Sequence, residues 1–150
     1  MQMTSGITGT KLIDLFSGEI SAVEAYCQAI ENVKNPKIVA ILQETHNGHA
    51  MRANSLAKTL RALGNEPYNP AGEAAGAAWS AFSEFLQSNL GKLADKQTIA
   101  ILEEGEDQGM AQYRNMLADS DPLLRQVARD LFPQQESTHN IMRDLKLSLV

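Results

Sequence analysis

The residues best able to do chemistry in this chain are a few carboxylates and all three histidines. Glu136-Ser137-Thr138-His139 sets a carboxylate and an imidazole three residues apart. That spacing places both on one face of a helix. Both are metal-ligand types, and Glu-x-x-His is the pair with which helical bundles hold two carboxylate-bridged metal ions. His46-Asn47-Gly48-His49 has the same spacing earlier in the chain. Glu19 and Glu106 each fall inside an otherwise apolar helical stripe. A buried ionised carboxylate is costly unless it is paired or bound to a cation. No Lys or Arg is expected on those stripes. Lys37, Arg52, Lys58 and Arg61 are assigned to the sides of their helix, so the pattern points to metal coordination.

The elements that must position these residues are all helical. The first is expected from about residue 10 to 33, capped by Thr8 or Thr10. Its stripe is Leu12, Phe16, Glu19, Val23, Tyr26 and Ile30, with alternating steps of four and three. Asn35-Pro36 is a cap followed by Pro at the first helical position, so a second helix spans about 36–63, closed by Gly64. Its stripe is Val39, Leu42, His46, His49, Ala53, Leu56, Leu60 and Leu63. Asn69-Pro70 repeats the start signal for a short helix over about 71–87. That helix is expected to pack outside the main bundle, with Trp79 and Phe82 as packing residues. Asp95 is a candidate cap for a helix over about 96–117, with Ile99, Leu102, Glu106, Gly109 and Tyr113 on one face. Asp121-Pro122 opens the last, over about 122–146. Pro133 inside it predicts a kink just before Glu136.

The 150 residues suit one all-α domain of four long helices joined by a long central crossover that holds the short one. Aromatic residues are 5% of the chain, which disfavours sheet. The net charge of -5, with no basic stripe, argues against nucleic acid or an anionic membrane as partner. No apolar run reaches membrane-spanning length, and no signal peptide is evident. A cytoplasmic location is the expectation. The single cysteine, Cys27, excludes an internal disulfide and is read as a small buried hydrophobe. Met51, Met110, Met116 and Met142 are read as core filler.

A repeat ties the candidate ligands together. Gly18-Glu19 is followed by Tyr26 in the first helix, and Gly105-Glu106 by Tyr113 in the fourth, both at an offset of 87 residues. The paired order resembles the ferritin-like superfamily, above all its rubrerythrin-type branch. Phe16-Ser17-Gly18-Glu19 with Ala22 and Tyr26, and His49-Ala50-Met51-Arg52, carry the likeness in the first half. Glu104-Gly105-Glu106-Asp107 with Tyr113-Arg114, and His139-Asn140-Ile141-Met142-Arg143, are similar to a group of small bacterial ferritin-like proteins of unassigned function.

The resemblance implies a ferritin-like bundle with a metal site of Glu19, His46, His49, Glu106, Glu136 and His139. Glu103, one turn before Glu106, is an extra carboxylate, and Tyr26 and Tyr113 would stand behind the ligands. His46 departs from the pattern, because the family has a bridging Glu there. Three carboxylates would leave two divalent ions with a net charge of about +1. A di-iron pair, a single iron, zinc or manganese all stay open. So does a metal-free helical stress or protein-interaction module with a polar core. An iron site would imply oxygen or peroxide chemistry and a redox partner. A homodimer is compatible with either reading.

Overall fold

A computed structural model describes residues 2–68 and 74–149, with side chains described for 6–68 and 79–149. The chain is all-α: α1 (Gln2–Asn32), α2 (Pro36–Ala62), α3 (Ala74–Ser88), α4 (Asp95–Leu117) and α5 (Pro122–Ser148). No strand occurs among the described residues. No helix among them is long and apolar enough to cross a membrane.

The proline-marked starts form as the side chains dictate. Asn35 Oδ1 accepts from the Lys37 N–H at 2.9 Å, and Asp121 Oδ1 from the Leu123 N–H at 2.9 Å. Gly64 ends α2 at φ +80°, a conformation that favours glycine, and lets the Asn65 N–H reach the Leu60 carbonyl at 2.9 Å. The Asn69-Pro70 signal lies outside the described residues. Two expected caps are corrected. α1 begins well before Thr10, whose hydroxyl donates to the Gly6 carbonyl at 2.9 Å within the helix. Thr8 is buried, and its hydroxyl bonds the Asp121 carboxylate at the start of α5. Asp95 lies inside the first turn of α4 and accepts from the backbone N–H groups of Lys34 and Asn35. Gln97 instead reaches back to the Ala94 N–H at 2.8 Å. α5 runs through Pro133 as one element.

α1 lies at the centre, packing on α2 and α3 and touching α4 and α5. α4 and α5 run antiparallel, because Glu103 meets Lys146 while Asp107 meets His139. The crossover helix is not merely external. Trp79 is buried, with its indole 5.9 Å from the Tyr26 ring and 5.6 Å from the His49 ring. Gly105 makes room for it, since a Cβ there would stand 2.5 Å from the indole. Two apolar clusters result. One gathers Ala22, Tyr26, Leu42, Trp79, Leu102 and Met142; the other gathers Leu12, Leu15, Leu56, Leu60, Tyr113 and Leu131. Glu19, His49 and Glu106 fall between them in sequence along α1, α2 and α4. Met110, Met116 and Met142 are core filler as expected, whereas Met51 is exposed.

Candidate functional site

Between the apolar clusters lies a buried layer of charge. Glu19, His49, Arg52 and Glu106 are all within 4% of complete burial. His49 stands between the carboxylates, with Nδ1 2.6 Å from Glu19 Oε1 and Nε2 2.6 Å from Glu106 Oε2. Only an imidazolium can donate on both sides. Burial alone would lower the His49 pKa, but the Glu106 and Glu19 charges outweigh it and push the group up to about 9. Burial likewise works to raise Glu19, yet Arg52 and His49 bring it down to about 2. Glu106 is also lowered, with His49 overcoming the effect of burial.

Arg52 completes the layer. Its Nε donates to Glu19 Oε2 at 2.7 Å. Its Nη2 has two hydrogens and two acceptors, Gln135 Oε1 at 3.0 Å and Thr138 Oγ1 at 3.2 Å. Nη2 also lies 2.8 Å from His49 Nδ1, but a nitrogen that donates to Glu19 cannot accept from arginine, so that approach is a contact only. Nη1 is buried without a partner among the described groups.

The two halves of the layer cross. Tyr26 on α1 donates to Glu106 on α4 at 2.6 Å, and Tyr113 on α4 donates to Glu19 on α1 at 2.6 Å. Burial first, then the facing carboxylate, raises both phenols well above their usual range, so they stay protonated donors. Glu106 Oε1 accepts from Gln135 Nε2 at 3.1 Å and from Thr138 Oγ1 at 2.9 Å. Every carboxylate oxygen therefore has at least one donor. Gly109 admits Gln135, whose amide nitrogen would lie 2.8 Å from a Cβ at that position.

The six expected ligands divide. Glu19, His49 and Glu106 come together, with Tyr26 and Tyr113 behind them. Glu136 is exposed, and His46 and His139 are only half-buried. On α5 the buried positions from Leu131 onward are Leu131, Gln135, Thr138, Met142 and Leu145, so the i, i+3 pair facing the core is Gln135/Thr138. Glu136 and His139 are each one residue beyond it, about 100° around the helix. On α2 the buried positions include Leu42, Thr45, His49, Arg52 and Leu56. His46 instead borders a surface groove with Cys27, Ile30 and Glu31. Cys27 is exposed rather than buried, and partial burial with Glu24 and Glu31 nearby raises its thiol pKa. The expectation that no cation shares the stripes is overturned by Arg52. Its long charged side chain predicts a flank, whereas its position on α2 is a core one.

His139 has a different neighbourhood. Its Nε2 lies 2.6 Å from Asp107 Oδ1 at the α4/α5 surface. Glu103 is one turn away on α4, and Lys146 Nζ is 3.3 Å from its Oε1. Glu103, Asp107 and His139 each offer a donor atom, all within 4.8 Å of one another. This carboxylate/imidazole cluster is compatible with metal binding.

A cavity of about 10 Å³ borders Glu19, His49, Trp79 and Tyr113, room for one water molecule at most.

No curated protein matches the chain, and no solved structure matches it. One family model does, over residues 8–119, from α1 through α4. The match takes in Glu19, His49, Arg52 and Glu106, while Gln135 and Thr138 on α5 lie beyond it. The chain belongs to the family described as domain of unknown function DUF2383.

Proposed function

We propose that this domain is a helical scaffold or interaction module whose polar core is closed by ion pairs rather than by metal. The observation that carries this reading is Arg52, fully buried with its guanidinium on the Glu19 carboxylate. Two carboxylates face one imidazolium and one guanidinium, so the layer is electrically neutral. A divalent ion that displaced the His49 proton would leave a surplus of one buried positive charge. A second ion would add two more. Such charge in a low-dielectric interior is strongly unfavourable unless further anions enter. The likeness to ferritin-like proteins then lies in the placing of Glu19, His49 and Glu106, with Arg52 supplying the positive charge that a metal supplies in those bundles.

The second reading is an iron or other divalent-metal centre with oxidative-stress chemistry. Its support is the convergence of Glu19, His49 and Glu106 from three helices, and it requires Arg52 to leave the core. Elemental analysis after growth with iron, manganese and zinc separates the two. The scaffold reading expects that the Glu19→Gln variant holds as much metal as the unaltered chain. It also expects a chelator to leave the melting temperature of the His139→Ala variant unchanged. One or two iron ions per chain, lost in Glu19→Gln, would overturn it.

A further inference from the structure

We propose that Glu103, Asp107 and His139 form a surface site for a divalent transition ion of the zinc class. The inference goes beyond the scaffold reading, which concerns only the core. Two carboxylates and one imidazole make a mixed oxygen/nitrogen donor set, the type zinc and its neighbours take with one position left for water. The donors come from two helices, Glu103 and Asp107 four residues apart on α4 and His139 on α5. They lie within 4.8 Å of one another, so small side-chain rotations bring them onto one ion.

Charge favours this site where it disfavours the core. Two negative charges and a neutral imidazole balance one divalent ion. Among the described residues, the cation paired with these ligands is Lys146, 3.3 Å from Glu103 and nearly half exposed, so it can turn into solvent. The site is also held in place from beneath. Asp107 follows Glu106 in sequence, and His139 follows Thr138, and Thr138 bonds Glu106 at 2.9 Å in the buried layer. Ligands mounted on a rigid helix pair lose little freedom on binding. Glu136 stands one turn before His139 on α5 and is exposed, outside the three-donor group.

Isothermal titration of the full chain with zinc chloride tests this, with magnesium chloride as the contrasting ion. The expected result is one zinc per chain and no comparable magnesium binding. Cobalt(II) in place of zinc should give the visible absorption of a low-coordinate nitrogen/oxygen site. His139→Ala and Asp107→Asn should each weaken zinc binding by at least roughly 10-fold. His46→Ala, which alters a half-buried histidine on another helix, should leave it unchanged. Far-ultraviolet circular dichroism of each variant verifies that the helices are intact. Zinc affinity unaltered in both His139→Ala and Asp107→Asn would overturn the proposal. So would loss of binding in His46→Ala, or no binding by the unaltered chain. Zinc lost only in Glu19→Gln would overturn both this proposal and the scaffold reading, whereas loss only in His139→Ala and Asp107→Asn leaves the scaffold reading intact.

Discussion

The buried layer and the α4/α5 surface cluster contain the same kinds of residue and behave as opposites. Each has two carboxylates and a histidine. In the core the donors are saturated: Glu19 and Glu106 receive His49, Arg52, two phenols, an amide and a hydroxyl. At the α4/α5 edge Asp107 has His139 and Glu103 has Lys146, and Asp107 and Lys146 are the half-exposed members of these pairs. The difference is one arginine and its burial. On the scaffold reading proposed above, ligand-type residues take up no metal where a fixed cation has already met their charge. The same types at a wet helix edge keep their lone pairs available.

Breaking the core should therefore cost much more than breaking the cluster. The largest effect is expected for Arg52→Met, which leaves Glu19 buried with only part of its compensation. Removing one partner of a buried ion pair costs about 3–5 kcal/mol. Urea unfolding of Arg52→Met, Glu19→Gln and the double variant measures it. The double variant should be less destabilised than the sum of the singles, because the stranded charge is gone. A loss below about 1 kcal/mol in Arg52→Met would mean that the guanidinium sits in solvent, as an exposed pair would.

The second effect is pH dependence, and only the core should show it strongly. His49 is raised in the fold from 6.5 to about 9. Its contribution to stability is complete below pH 6.5 and is lost as the pH rises through 9. Stability should fall across that window by up to about 1.4 kcal/mol per pH unit. Glu19 is lowered from 4.5 to about 2, so its contribution is complete above pH 4.5 and is lost as the pH falls toward 2. Urea midpoints from pH 5 to 9 give the alkaline limb. A flat profile between 6.5 and 9 would show that His49 is not an imidazolium, and the charge balance of the layer would fail with it.

How much of this was legible in the sequence depends on which signal was weighed. The all-α order and the starts at Pro36 and Pro122 were written in cap and proline chemistry. Glu19, Tyr26, Glu106 and Tyr113 were legible because a four-three step runs through each with apolar neighbours. On α5 the same step, continued from Leu131, passes through 135, 138, 142 and 145. It predicts Gln135 and Thr138 at the core, each one residue before a member of the Glu136/His139 pair. On α2 the step from Leu42 passes through Thr45, His49, Arg52 and Leu56, so the signal for Arg52 was present. Its charge argued for a flank, and only knowledge that Glu19 lies opposite could reverse that. The placing of Trp79 against His49 was not legible, because no local pattern tells which helix a crossover residue meets. Gly105, a gap for that indole, was the available hint.

A finer comparison lies within the core, between its two crossed halves. Tyr26→Phe and Tyr113→Phe each delete one phenol hydrogen bond of 2.6 Å to a buried carboxylate. Hydrogen bonds to charged groups contribute about 1.5–3 kcal/mol, and the two losses should be similar. If one variant were neutral by urea unfolding, the apparent duplication would not extend to energetics. Glu106 would then be held by His49, Gln135 and Thr138 alone, or Glu19 by Arg52 and His49 alone.

The smallest effect on stability is expected at Asp107, and it sharpens the contrast most. Asp107 is 56% exposed, so metal-free Asp107→Asn should lie within about 0.5 kcal/mol of the unaltered chain. A bound ion changes the comparison without touching the core. Zinc at 100 times its dissociation constant should raise the stability of the unaltered chain by about 2.7 kcal/mol. Asp107→Asn should lose most of that increment while keeping its starting stability. Tyr113→Phe should do the reverse, because its partner Glu19 is on α1, away from the α4/α5 edge. Thermal unfolding of the three proteins with and without zinc gives all the values needed. Should Asp107→Asn keep the full increment, the bound zinc would lie elsewhere. If Tyr113→Phe lost it, the zinc would be in the core, and the neutral layer could not be what closes the bundle.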